Sequence, residues 1–362
     1  MKQLVTRGTA RVRLSLRMGV SVLVLAVLAL GPGVVPASAQ QSTLDEAKEK
    51  YQFADYDAAT DLFSQVAQNK EAPEELRRTA LRYLGRAYIA QNQRDEAKEA
   101  IKNLVTLEPP LTELDPDVEP PPIMDLYYQV RKELDGGYAV KKQDPGLQTL
   151  AVMDFTNNSI DERERWDGLR QGLPSMMITR LNGGTDLKVI ERERIQWILD
   201  ELELQRKADV VDQSTAVRTG KLLGANAVVF GSYIVHEEEM LVQARVVKVE
   251  TGEVLLGEQV KGSPDDFAAL IQDLSTEITR SINVELEETQ TGMSNTKSLD
   301  AMMAYSDGLA LLEDGEYRAA YEKFLQALDY DGGFQKAKRK AESLKPMLAS
   351  ADVSGEGAGT NR

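Results

Sequence analysis

The stretch ANAVVFGSYIVHEEEMLVQARVVKVETGEVLLGEQVKG, residues 225–262, decides the fold. It holds three strand-like runs, 226–235, 240–249 and 253–261, with no helical pattern between them. In the middle run Val242, Ala244 and Val246 share one face while Gln243 and Arg245 lie on the other, the two-residue period of a half-buried strand. Thr251-Gly252 signals a tight turn into the last run.

Upstream, TLAVMDF (149–155) and LKVI (187–190) are short apolar runs that predict buried strands. Leu169, Leu173, Met176, Met177 and Leu181 mark a helix face between them, with Pro174 in its first turns or at a kink. Ile195, Ile198, Leu199 and Leu202 mark another helix. Asp212 is placed to cap a further one that ends at Gly224. Downstream, Ser263-Pro264-Asp265-Asp266 is a helix start, followed by Phe267, Leu270, Ile271, Leu274, Ile278 and Ile282 on one face. The order β-α-β-α-α-β-β-β-α over 147–286 predicts an α+β chain in which one domain is a mixed sheet with helices packed on it.

Both flanks read as helical. In LGRAYIAQNQRDEAKEAIKNLVTLEP (84–109), Leu84-Gly85, Tyr88, Ala97, Ile101, Leu104 and Pro109 stand at the offsets of the tetratricopeptide repeat, which this stretch resembles. Gly85 is expected to let two helices approach, with Ala97 as the small residue facing it. A weaker copy has Ala47, Ala59, Phe63 and Val66, and Ile123 to Leu134 is expected to cap the pair, ended by Gly136-Gly137. These form a helical region over 42–135. Six of the thirteen prolines fall within 109–122, which predicts a stiff connector. After a polar linker at 287–298, Gly308, Leu311, Gly315, Tyr317, Ala320, Phe324 and Ala327 return to the same offsets. This predicts a second all-α unit over 299–348 and a disordered tail over 349–362.

Composition removes several function classes. The 362 residues carry 58 acidic against 43 basic side chains, a net charge of −15, which disfavours nucleic acid as a partner. There is no cysteine, so disulfides, thiol catalysis and a lipid anchor on cysteine are not expected. A single histidine, His236, argues against a histidine metal site or a catalytic triad. Lys2, Arg7, Arg11, Arg13 and Arg17 precede the apolar run Val22 to Leu30, and Ala37-Ser38-Ala39 offers a small-residue cleavage site before Gln40. Residues 1–39 are therefore expected to be a secretory signal peptide, and the remainder a soluble periplasmic protein, with outer-membrane association left open.

With these elements laid out, the middle of the chain resembles the curli-assembly channel (CsgG-like) family. The resemblance rests on AVMDF (151–155), KVIERERIQWILDELELQ (188–205), GKLLGANAVVFGSYIV (220–235) and ARVVKVETGEVLLGEQVKG (244–262). It implies a strand, helix, strand, acid–Arg pair and helix in that order, and a role in the assembly or secretion of surface material. Channel-forming members are lipidated at a cysteine and carry extra hairpins that build an outer-membrane barrel. The connections here are too short for such hairpins, so the expectation is a soluble relative and not a pore. The sheet is also similar to that of activators of cell-wall synthases and of the N-terminal domain of a periplasmic Tol-system protein.

Two groups of residues are candidates for a site. Arg82 and Arg86 lie four apart on a repeat helix, with Thr79 and Ile89 extending the row. They could hold an acidic segment or a carboxylate terminus from a protein partner, or be satisfied within the chain. Asp154 and the pair Glu191-Arg192 fall at the ends of the two buried strands, where open α/β sheets bind ligands. A structural ion pair is the alternative there. His236 with Glu237, Glu238 and Glu239 reads as a solvated turn, and Trp166 and Trp197 as core or domain-contact residues. No glycine pair has the strand–loop–helix setting of a phosphate loop. The expectation is a non-enzymatic envelope scaffold with no cofactor, binding envelope proteins through its repeats, its middle domain docking or forming a homo-oligomer. A regulatory module is the alternative, and a hydrolase using Asp154 and Glu191 the reading least favoured.

Overall fold

The computed structural model describes residues 37–108, 113–139, 148–201, 212–286 and 296–356. The segment 1–36 of the expected signal, the linker residues 287–295, Pro109 and Leu202 lie outside the described residues. Among the described residues no helix is long and apolar enough to cross a membrane.

The sheet has five strands, β1 (Thr149–Asn157), β2 (Lys188–Val189), β3 (Ala227–His236), β4 (Glu239–Lys248) and β5 (Val254–Gly262), in the order β2-β1-β3-β4-β5. The first three are parallel, and β4 and β5 return antiparallel. The β4–β5 turn needs Gly252, whose φ is +73°. The mixed sheet of the α+β reading is thus present.

Side-chain alternation divides the sheet into two apolar faces. Leu150, Val152, Phe155, Val229, Tyr233, Val242 and Val246 point one way, and Ala151, Met153, Val228, Phe230 and Val247 the other. The second face is covered by α8 (Arg192–Glu201) and α9 (Gln213–Leu223) through Ile195, Ile198, Ala216 and Leu223. Asp212 accepts a hydrogen bond from the Thr215 amide at 2.8 Å, and Gly224 ends α9 with φ +69°. The first face is covered by α7 (Leu169–Gly184) and α10 (Phe267–Ser281). A short helix, α6 (Arg163–Trp166), leads into α7 and places Trp166 in that core. Pro174 sits inside α7 without ending it.

The N-terminal helices are α1 (Ala37–Gln52), α2 (Tyr56–Gln68), α3 (Glu74–Ala90), α4 (Arg94–Thr106) and α5 (Pro121–Asp135). They enclose a core of their own around Leu44, Phe63, Leu84, Ile101, Ile123 and Tyr127. Gly136, at φ +72°, ends α5. Gly85 makes room for Ile101 and Ile123, and a Cβ there would lie 3.1 Å from Ile101 Cδ1.

The C-terminal helices are α11 (Leu299–Glu313), α12 (Tyr317–Tyr330) and α13 (Gln335–Glu356). Sequence spacing sets them apart as a flanking unit, yet Tyr305, Phe324, Phe334 and Leu344 belong to the same continuous core as α7 and the sheet. The reason is close approach of α11 to α7. Gly172 donates its amide to Ser306 Oγ at 2.7 Å, and a Cβ on Gly172 would meet Met302 Sδ at 2.8 Å. The tail reading is corrected over 349–356. Ala349 to Ser354 carries no glycine or proline, and the helical backbone continues to Glu356.

Candidate functional site

Four consecutive residues, Glu191-Arg192-Glu193-Arg194, stand where β2 ends and α8 begins, and each engages a different part of the molecule. Arg192 is buried, at 6% exposure. Its Nε and Nη2 donate to the two carboxylate oxygens of Asp154 at 2.9 and 3.0 Å, and Nη2 also reaches Glu313 at the end of α11. Asp154 is delivered by a bulge. Pairing of β1 with β3 slips between Val152 and Phe155, so Phe155 keeps the core side and Asp154 is turned out toward α8.

Glu193 accepts from Lys340 of α13 at 2.7 Å, and Lys340 also donates to the Pro116 carbonyl at 3.1 Å. Arg194 donates to the Tyr138 carbonyl at 2.9 Å. Glu191 makes no bond to Arg192. It stands near Glu113, which is itself paired with Lys188. Beside this row, Trp197 packs against Tyr128 and Tyr138 at ring-centroid distances of 5.7 and 5.9 Å, joining α8 to the N-terminal helices.

The charges respond to this burial. Desolvation, and then the neighbouring Glu113, pushes Glu191 up to about 7. Desolvation also pushes Glu313 up to about 7, with Asp154 adding to the effect and Arg192 only partly opposing it. Burial would raise Glu193 as well, but Lys340 and Arg192 outweigh it and hold that carboxyl at about 2. Lys336 of α13, 8% exposed, is lowered by burial, and its ammonium donates to Ser175 Oγ and Thr179 Oγ1 at 2.8 and 2.9 Å.

The second candidate group is also engaged within the chain. Arg82 donates to Glu119 Oε1 at 2.8 and 2.5 Å, and Arg86 to Glu119 Oε2 at 2.8 Å. Glu119 is 1% exposed and belongs to the proline-rich connector, so the acidic segment facing these guanidiniums is the chain's own. Ile89 packs on the N-terminal core, and Thr79 is half-buried on the same helix. His236 pairs with Asp161 at 3.0 Å on the surface. No three carboxylates or histidines converge as a metal ion requires, among the described residues.

Sequence reasoning found Asp154 and Arg192 but missed Glu313, Gln171, Lys340 and Glu119, which complete their surroundings. Glu119 had a signal, as an acid inside a proline-rich connector next to an arginine pair. Glu313 and Lys340 had none, because only the packing of α11 and α13 brings them to α8.

Residues 139–241 match the family described as curli production assembly/transport component CsgG, a span that takes in β1 through the start of β4. No curated protein is similar to the chain. Among solved structures, the LpoB C-terminal domain from Salmonella enterica is 20% identical, covering 33% of this chain and 88% of its own, with a TM-score of 0.24. The LpoB C-terminal domain from Escherichia coli is 18% identical, over 34% and 87%, with a TM-score of 0.25. A lipoprotein from Neisseria meningitidis is 16% identical, over 37% and 96%, with a TM-score of 0.26.

Proposed function

We propose that this chain is a non-enzymatic protein of the bacterial cell envelope that scaffolds the assembly or secretion of surface material. Its helical hairpins are tetratricopeptide-type units, and its working compartment is the periplasm. The observation that carries the reading is the use of the polar row at the sheet end. Arg192 is spent on Asp154 and Glu313, and Glu193 on Lys340. A hydrolase built on Asp154 and Glu191 would need Asp154 free to act on a water, and Arg192 holds both of its carboxylate oxygens. The CsgG-like span supplies the link to surface assembly.

The test is photo-crosslinking in cells from Gln243 and Gln259, both exposed on the outer strands. Adducts with exported or assembly components are expected. Adducts with cell-wall synthases would replace this reading by the regulatory one, and turnover abolished by Asp154→Asn would overturn both.

A further inference from the structure

The two edges of the sheet differ. At one edge β2 is two residues long and its Lys188 is tied to Glu113 of the connector, so little backbone is left to pair. At the other edge β5 runs for nine residues without proline, and no described strand lies beyond it. Gly257, Glu258, Gln259 and Lys261 are exposed along it.

The ladder fixes which backbone groups of β5 are free. The Val249 amide donates to the Asn226 carbonyl on the β3 side, and the Lys248 amide to the Glu253 carbonyl on the β5 side. Pairing of β3 with β4 is unbroken, so alternation gives Leu241, Gln243 and Arg245 to β3 and Val242, Ala244 and Val246 to β5. Opposite the last three stand Val260, Glu258 and Leu256. The amides and carbonyls of Gly257, Gln259 and Lys261 therefore point away from β4, and no described backbone group meets them. A Cβ on Gly257 would find nothing within 4 Å, so the approach there is open.

A groove of about 490 Å³ lies between β5 and α10, lined by Glu258, Val260, Asp273, Thr276 and Glu277. Glu277 pairs with Arg280, whereas Glu258 and Asp273 form no ion pair among the described residues.

We propose that the free edge of β5 receives an extended segment of a partner protein as a further strand, with lysine or arginine at every second position. Main-chain hydrogen bonds to Gly257, Gln259 and Lys261 hold the segment. On one face its side chains lie over the groove, where the carboxylates of Glu258 and Asp273 favour basic groups. The opposite face carries Gln259 and Lys261, beside Gln243 and Glu239, and favours neutral polar groups. A second copy of this chain fits less well. Antiparallel pairing of two β5 strands would bring the Glu258 carboxylates together on one face, acid beside acid. Such docking serves an assembly scaffold and a regulatory module alike, so it does not depend on the task proposed above.

The experiment is titration of the full chain with a capped peptide of about ten residues that alternates lysine with threonine, followed by calorimetry and amide hydrogen exchange at low salt. Saturable binding is expected, with new protection at the amides of Gly257, Gln259 and Lys261. The same peptide with glutamate for lysine should bind at least about tenfold more weakly. Gly257→Pro removes an outward N–H at a place where an edge strand tolerates proline, and should weaken binding about tenfold. Glu258→Lys with Asp273→Lys, at two exposed positions, should reverse the preference between the peptides and keeps the test should the proline variant fail to fold, which thermal melts reveal. Absence of saturation at about 5 mM overturns the proposal. Unchanged affinity in the folded variants, or protection gained only outside β5, also overturns it. A concentration-dependent dimer of the unaltered chain that Gly257→Pro abolishes would assign the edge to a second copy and overturn it as well.

Discussion

The ammonium of Lys340, on the last helix, lies 2.7 Å from Glu193 Oε1 on the helix that follows β2. Only 4% of the lysine side chain and 27% of the glutamate side chain are exposed. Asp117 of the connector stands 3.9 Å from the same ammonium, and the Pro116 carbonyl 3.1 Å. One side chain thus ties the C-terminal helices, the sheet domain and the N-terminal connector.

Lys340→Met takes from the part-buried Glu193 its hydrogen-bonded cation and leaves only Arg192 beside it. The expected loss of stability is about 3–5 kcal/mol in chemical denaturation. Lys340→Met combined with Glu193→Leu should lose distinctly less, because no charge is then stranded. Equal losses in the single and double variants would show that the pair contributes only through packing.

Gly231 on β3 has no room for a side chain. A Cβ would lie 2.3 Å from the backbone oxygen of Gln243 on β4, and Phe155 closes the other side at 3.2 Å. The obstructing atom is backbone in a paired strand, so it cannot rotate away. Gly231→Ala should cost at least about 2 kcal/mol, read as a fall of several degrees in Tm.

Stability should fall as pH rises toward neutrality. Glu191 and Glu313 both have folded-state values of about 7, above the ordinary 4.5, so their contribution is complete below 4.5 and is lost as pH climbs through 7. Glu193, held at about 2, works in the opposite sense, and its contribution is lost as pH falls from 4.5 toward 2. The combined expectation is a maximum in Tm near about pH 5 and a decline on the order of 1–3 kcal/mol by pH 8. Glu191→Gln with Glu313→Gln should flatten that decline, measured by thermal melts across the range.

Glu119 holds two arginines at once, and the two differ in exposure. The Arg86 side chain is 13% exposed and the Arg82 side chain 34%. Truncating Arg86 to alanine should therefore cost more, about 3 kcal/mol, than truncating Arg82, about 1 kcal/mol. Glu119→Gln should loosen the connector, seen as faster proteolysis between Pro116 and Pro121 while the sheet domain stays protected.

Much of the fold was legible because it depends on local periods. The strand runs at 226–235, 240–249 and 253–261 became β3, β4 and β5 with ends moved by a residue or so, because alternation and the Thr251-Gly252 turn fix them locally. Asp212, Gly136, Gly224 and Ser263 act at helix ends as their chemistry dictates. What was not legible is long-range. The bulge that turns Asp154 outward is a mismatch with a strand more than seventy positions away, and nothing in AVMDF announces it. The burial of Ser306 and Met302 against α7 depends on Gly168 and Gly172 offering a flat helix surface, which spacing alone does not reveal. Arg82 and Arg86 were recognisable as a receptor for an acid, but the acid's position in the chain was fixed only by the path of the connector.

The Tyr56 hydroxyl donates to the carbonyl of Pro346 at 2.9 Å, fastening the second helix to the last one across 290 positions. The molecule is therefore a closed circuit and not beads on a string. Heat should melt it in a single endotherm, with calorimetric and van't Hoff enthalpies in agreement. Excising either end to isolate the CsgG-like span would lay bare an oily flank, and the fragment should clump in solution where the whole chain stays dispersed.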